Sequence, residues 1–416
     1  MKEILKEKRY DILFLIIVSF FPIYKNALSS ISIILFSLVT VGTFIYLKRK
    51  IVKENYKYIL ILSGFYLYSI ISLLYTSDIK EGVKELQTSV PILLFPIILL
   101  LFGGNIAKKH FKYISLSYLT ACTIQGIYII SQFYKYNLFR SISEAQFYNL
   151  PFRNLIFKLD YMKFHPSYLS LWFLFAVIIA LHFLYKNFKS LKFYHILLLL
   201  ISVGVLTFVS VASSAKISII AFLLAMLYFL FSLLKSWKIK FVSIVVFIGL
   251  AITGIYKIPF LKSRFIDEIK ATKFEPPVGD FHNSVNIRFG IMNCATAVFS
   301  NNWLFGVGIG DAQKELNNCY TKFDTNVYTD STYNTHNNYF HYAVITGIFG
   351  LLLFIIALIF QYRLAFSNHN VLFACFLIMV SVSFFVENVL VRNHGVVFYA
   401  FFSTLFIKLI QNEGKI

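Results

Sequence analysis

The chain predicts an all-α, polytopic integral membrane protein of about twelve transmembrane helices with one large loop before the tenth. Composition is the first reason: of 416 residues, 58% are hydrophobic and only 14% charged, against about 25% charged in an ordinary soluble domain. The second is a mean hydropathy of +0.72, and the third is that the apolar residues fall in blocks long enough to cross a bilayer. Eight prolines and 18 glycines are too few for a disordered or collagen-like polymer.

A span needs about 20 apolar residues to cross a hydrocarbon core about 30 Å thick. The blocks expected to do so are 11–24, 28–47, 57–76, 88–103, 113–134, 166–185, 193–211, 215–234, 240–256, 337–361, 370–387 and 394–410. The first is short and ends at Pro22, so the first two are expected to form a helical hairpin. Pro91 and Pro96 fall in the fourth, which is expected to be kinked or partly re-entrant. No cleavable signal peptide is expected, because the first block, after MKEILKEKRYD, lacks a small-residue cleavage site.

Basic residues set the orientation. With both termini in the cytoplasm, 21 Lys and Arg fall on that side and 18 on the other, eight of them in segment 257–335. Loops beyond about 60 residues are left out of the positive-inside count, and the contrast is then 21 to 10. The expected organisation is a bundle of about nine spans over 1–256, a periplasmic loop domain over 257–335, and about three C-terminal spans over 336–416. The net charge of +20 would suggest nucleic acid in a soluble protein. Here it lies between apolar blocks, where it fixes topology and meets anionic headgroups, so membrane lipids rather than nucleic acid are the expected partners. Four cysteines are too few for a disulfide scaffold. Cys294 and Cys319 share the long loop and are free to pair if it faces an oxidising compartment.

That loop is the one sizeable polar stretch, with eight acidic and eight basic residues. It ends at Thr335-His336-Asn337-Asn338-Tyr339-Phe340-His341, where a span begins. His336 is thus placed at the outer N-terminus of a membrane helix, which carries about half a positive charge and unpaired N–H groups. The field there disfavours a charged ring and attracts an anion, so a general base beside a phosphate-binding surface is a coherent arrangement. An interfacial histidine in an aromatic belt explains the position equally well. His336 and His341, five residues apart, project about 140° apart on a helix, and no metal site is expected.

Arg288 lies on the amphipathic stretch Val285–Ile291 of the loop, and Lys216 opens a span after Ser213-Ser214-Ala215. Both are candidates for a phosphate, for which a guanidinium offers two-point geometry. For Lys216, snorkelling to headgroups is the plain alternative. His165 opens the sixth span, Glu387 closes the eleventh, and Arg392 lies just beyond. With Asn337 and His341 they put polar groups at one membrane level, suited to positioning an amphiphile with a charged head. Gly347 and Gly350 are spaced for close packing of a helix or lipid tail. The run Gly306-Val307-Gly308-Ile309-Gly310 lacks the βαβ context of a dinucleotide site. It is expected to be a turn that approaches a ligand or helix end.

At these residues the sequence resembles the bacterial O-antigen ligase and polymerase superfamily. The family pattern is His, then Asn, Ser or Gln, nine residues, Gly, two residues, then Gly, Thr or Tyr. His336-Asn337, Gly347 and Gly350 match every fixed position. The span count, cytoplasmic termini and large periplasmic loop before the motif are similar too. So are Arg288, Ala295 and Ala297, followed by the run Leu304 to Gly310. Two departures are Met292, where the family often has Trp, and Lys216, where it usually has Arg. Motifs cover roughly residues 160–360; the first 160 match only as a pattern of spans.

The resemblance implies a metal-independent glycosyltransferase without cofactor in the bacterial inner membrane. It would move a glycan from undecaprenyl diphosphate to an acceptor hydroxyl at the periplasmic face. Arg288, with Lys216, would hold the diphosphate, and His336 would take the acceptor's proton. A ligase would use lipid A–core as acceptor, and a polymerase another carrier-linked repeat unit; the His-Asn…Gly…Gly pattern favours the ligase. A transporter or flippase is the alternative from another class, and it would want ionisable residues at mid-span. Lys216, Glu387 and Arg392 all sit near span ends instead.

Overall fold

The computed structural model describes residues 7–139, 150–159, 165–280 and 282–414. Parts of the charge-counted segments (1–6, 140–149, 160–164 and Lys415) lie outside them. The helices in chain order are α1 (Tyr10–Val18), α2 (Asn26–Tyr46), α3 (Asn55–Leu74), α4 (Ile79–Phe102), α5 (Lys108–Lys135), α6 (Pro151–Lys158), α7 (Pro166–Asn187), α8 (Phe193–Ala212), α9 (Lys216–Leu233) and α10 (Trp237–Lys257). There follow α11 (259–271), α12 (Ser284–Asn301), α13 (Ala312–Tyr320), α14 (Val327–Asp330), α15 (Asn338–Ser367), α16 (Val371–Phe384) and α17 (Asn393–Asn412). Among the described residues there is no strand.

Ten of these helices are long and apolar enough to cross a membrane, so the protein is multi-pass. Twelve were expected, and two fall short. The block 11–24 holds only the nine-residue α1 and a 3-10 turn at Phe21–Ile23 that contains Pro22. The block 370–387 holds the 14-residue α16, which stops at Phe384 and frees the chain to turn Glu387 inward. At about 1.5 Å per residue, α16 covers only about 21 Å.

The prolines of α4 act as expected. The helix runs in three pieces, broken at Pro91 and widened to a π turn after Pro96. Pro96 has no N–H for the carbonyl of Ile92. The hydroxyl of Ser63 on α3 donates to that carbonyl instead, at 2.8 Å, and the Asn55 amide donates to Leu100 O at 2.6 Å. Side chains of a neighbouring helix thus satisfy backbone that the break exposes.

A second break lies in α15, where Gly347 has φ 63° and ψ −159°. Here the glycine run supplies the partners. Val307 N donates to Val344 O at 2.9 Å, Gly308 N to Ile345 O at 3.0 Å, and Ile348 N to Trp303 O at 2.8 Å. The close approach at Gly347 is therefore made by a loop backbone, where a packed helix or lipid tail was expected, and a Cβ there would strike Leu304 O. At Gly350 a Cβ would strike the Thr346 side chain of its own helix.

The centre of the bundle is α7 and α17, buried almost along their length. α9 packs on α16, α7 on α8 and α9, α3 on α15, and α17 on α4. Phe21, Tyr118, Trp172, Phe175, Phe398 and Phe402 interlock between them. The segment after α10 folds as short helices rather than as an open loop. A disulfide between Cys294 and Cys319 fastens α12 to α13, and Asp311 accepts from Ser77 N at 2.5 Å and Asp78 N at 3.1 Å. These ties hold α12 over one end of the bundle.

Candidate functional site

Four helices, α7, α9, α12 and α15, begin at one place. Asn283 caps α12, its side-chain oxygen accepting from Val285 N and Asn286 N at 2.8 and 3.2 Å. Asn337 caps α15 by accepting from Phe340 N at 3.0 Å, and the ring of His165 accepts from Ser167 N at the start of α7. Lys216 is the first residue of α9. The α7 and α9 starts touch directly, since Ser218 Oγ donates to Ser167 O at 2.6 Å. The positive ends of four helix dipoles therefore gather, which favours an anion between them.

Two carboxylates organise the cations. Glu387, buried in the turn after α16, takes Arg288 Nη2 at 3.2 Å and the hydroxyl of Ser167 at 3.1 Å on Oε1. Its other oxygen lies 3.7 Å from His336 Nδ1. Glu268 on α11 takes Lys216 at 2.8 Å and Arg264 at 2.6 Å, and also the hydroxyl of Ser284, the first residue of α12. Arg153 on α6 donates to Ser213 O at 3.0 Å and feels the charges of Arg264, Glu387 and Arg288. Four cations thus surround two carboxylates. Three buried nitrogens in the cluster, Arg264 Nε, Arg288 Nε and His336 Nδ1, have no hydrogen-bond partner among the described residues.

The charges act on one another. Burial disfavours the Glu387 carboxylate, but His336, His165 and Arg288 outweigh it and hold the group at about 2. Burial likewise opposes Glu268, yet Lys216, Ser284 and Arg264 hold it below the usual carboxylate range. Burial pushes the His165 imidazole down to about 4, against the pull of Glu387 and with help from Arg153. Burial and the neighbouring Arg264 bring Arg153 to about 10.

His336 itself sits two residues before α15 with φ +44°, a left-handed conformation uncommon outside glycine. Asn334 secures it, its side chain accepting from His336 N at 3.1 Å. Beside it, Thr335 and Asn388 exchange hydrogen bonds, and Leu390 N donates to the side chain of Asn338 at 3.3 Å. These bonds clamp the Glu387 turn against His336.

Of the residues singled out in the sequence, the structure brings together Lys216, Arg288, His336, Glu387 and His165. Asn337 is committed to capping and to Phe385 O. His341 faces elsewhere, with Nε2 2.9 Å from Glu85 Oε1. It lines a separate pocket of about 400 Å³ with Glu81, Glu85 and Arg392. Arg153, Arg264 and Glu268 escaped sequence reasoning. The i,i+4 spacing of Arg264 and Glu268 was the one available signal, and Arg153 gave none.

Residues 201–355 match the family model described as O-Antigen ligase. Over this segment the chain is similar to the O-antigen ligase and polymerase superfamily. The family is one of membrane glycosyltransferases, as the resemblance implied. The ligase-family segment holds Lys216, Arg264, Glu268, Arg288, His336, Gly347 and Gly350, whereas Arg153, His165 and Glu387 reach the cluster from outside it. No curated protein matches the chain.

Proposed function

We propose that the protein transfers a glycan from undecaprenyl diphosphate to an acceptor hydroxyl at the periplasmic face of the bacterial inner membrane, as an O-antigen ligase acting on lipid A–core. The observation that carries this reading is the convergence of four helix N-termini and four cations beside His336, in a chain whose residues 201–355 match the ligase family model. A diphosphate is the anion that such a surplus of positive charge suits. The disulfide in segment 257–335 supports an oxidising compartment for the site.

In this reading Arg288, Lys216 and Arg264 hold the diphosphate, with Glu268 and Glu387 fixing where their charges lie. The Nδ1 side of His336 is turned to Glu387, which leaves Nε2 to meet the acceptor. The acceptor oxygen attacks the anomeric carbon and its proton passes to His336 Nε2. The bond from that carbon to the diphosphate oxygen breaks, and the diphosphate lipid leaves with the electron pair. Its charge is met by Arg288, the neighbouring cations and the helix ends. Attack opposite the leaving group inverts the anomeric configuration. No step calls on a metal or cofactor, so activity is expected to survive a chelator. His165, Asn337, His341 and Arg392 are proposed to position substrate or the turn that carries His336.

Deletion of the gene tests the function. A ligase predicts full-length carrier-linked polymer and bare lipid A–core. Single repeat units on lipid A–core would make the protein a polymerase, and unaltered glycan on both carriers would remove it from glycan transfer.

A further inference from the structure

A second charged pocket lies at the opposite end of the bundle. α17 begins beside the Arg392 pocket at Asn393, and Lys408 is fifteen residues further along it, about 22 Å at the rise of an α-helix. There a pocket of about 420 Å³ is lined by Arg9, Arg49, Lys50 and Lys408 and by the 103–105 turn. None of these residues belongs to the site around Glu387.

The pocket is built, not incidental. Asp11 is buried beneath it and takes Arg9 Nε at 2.9 Å and Arg49 Nη1 at 3.1 Å. The same carboxylate accepts from Gly104 N at 3.1 Å, and Arg9 Nη2 also donates to Asn105 O at 3.0 Å. The Arg49 guanidinium lies flat on Gly104, where a Cβ would come within 2.7 Å of it. One carboxylate therefore orients two arginines but leaves four cations facing it.

Lys408 adds the decisive observation. It is only 6% exposed, it sits within a membrane-spanning helix, and no hydrogen bond or ion pair joins it to any group among the described residues. A cation at that depth is costly unless an anion meets it. Phe44, Val52, Leu100 and Leu101 complete the wall, and Ile45, Tyr46 and Ile51, chain neighbours of these lining residues, are exposed apolar side chains. A ligand with a phosphate at one end and hydrocarbon at the other matches both surfaces.

We propose that this pocket binds the phosphate of an anionic phospholipid from the leaflet on the face opposite the Glu387 cluster. Lys408 and the free N–H groups of Arg49 contact the phosphate, Lys50 guards the mouth, and the acyl chains run down the exposed ends of α2 and α3. Basic pockets between spans are suited to such headgroups. The site ties α1, α2, α4 and α17 together through one lipid.

The test uses the full-length protein with phosphatidylglycerol, phosphatidylcholine or inorganic phosphate as probe. Lipid retained on the chain is counted by native mass spectrometry, and thermal unfolding is followed in detergent with each probe added. Lys408→Met fits an apolar span, so the variant is expected to fold and to match or exceed the wild type in stability with phosphatidylcholine. The wild type should retain and be stabilised by phosphatidylglycerol but not phosphatidylcholine, and Lys408→Met should lose both effects. Lys50→Ala, at the exposed mouth, should weaken retention without abolishing it. Equal retention of phosphatidylglycerol by wild type and Lys408→Met would overturn the proposal, as would equal retention of phosphatidylcholine. Stabilisation by inorganic phosphate as large as that by the lipid would overturn the lipid as the source of the phosphate.

Discussion

Arg288 Nη2 and Glu387 Oε1 lie 3.2 Å apart although 99 residues separate them in the chain. The contact joins the second turn of α12, in the segment after α10, to the turn that follows α16. Glu387 also holds Ser167 at the start of α7 and faces His336 across 3.7 Å. One buried carboxylate thus sets the spacing between the guanidinium proposed to bind donor and the imidazole proposed to act as base.

Glu387→Ala should therefore lower both stability and turnover. Removing one partner of a buried pair leaves the other uncompensated, at a cost of about 3–5 kcal/mol when both are deeply buried. Arg288 is a third exposed, so the loss should fall below that range. Glu387→Gln keeps an acceptor for Ser167 and should be milder in thermal unfolding, yet still reduce kcat because His336 loses its charged neighbour. Turnover of Glu387→Gln equal to wild type would exclude Glu387 from orienting the base.

Acid should loosen this end of the molecule in two stages. His165 is held down near 4, so the unfolded chain binds a proton there first and stability falls as pH drops from about 6.5 toward 4. Glu387 is held near 2, so its contribution is complete above the ordinary carboxylate range and is lost as pH falls from about 4.3 toward 2. Unfolding midpoints in detergent across these windows check both signs. His165→Gln should flatten the upper stage, and Glu387→Gln the lower.

Gly347 should resist substitution more than a helical glycine in open space. Gly347→Ala would place a methyl against Leu304 O at a backbone φ of +63°, and so push the glycine run off α15. A loss of about 1–3 kcal/mol is expected for such strain. Gly254→Ala, with nothing within 4 Å, is the control and should be neutral in thermal unfolding.

The orientation is open to labelling. Lys273→Cys should react with a membrane-impermeant thiol reagent in cells with a permeabilised outer membrane, and Gly414→Cys should be protected. The reverse pattern would move the Arg288 cluster to the cytoplasmic side and remove the proposed donor's access to it.

Much of this was legible in the sequence, because hydropathy blocks mark helices and prolines mark their breaks. Pro91 and Pro96 divide α4 where expected. His336, Lys216, Glu387 and His165 were each placed at a span end and Arg288 on an amphipathic stretch of the loop, and helix starts are what the fold gathers there. Hydropathy does not reveal how far a helix continues beside a turn, so α1 and α16 were read as full spans. Nor does it show which cations share a carboxylate. Arg153 joins the cluster through tertiary contacts with no periodic signature, and Arg264 leaves only its i,i+4 spacing to Glu268. Gly347 was read as a helix-packing residue because a positive φ leaves no trace in a pattern of small residues.

The central claim is that His336 removes the acceptor's proton while Arg288 and its neighbours hold the donor's diphosphate. The most direct measurement is transfer by purified protein in nanodiscs from a defined undecaprenyl-diphosphate glycan, with donor binding measured in the same preparation. His336→Ala should bind donor as the wild type does and transfer about a hundredfold to ten-thousandfold more slowly, whereas Arg288→Ala should lose donor binding and rate together. Near-normal transfer by His336→Ala, or an Arg288→Ala enzyme whose one defect is a raised acceptor requirement, would contradict the account.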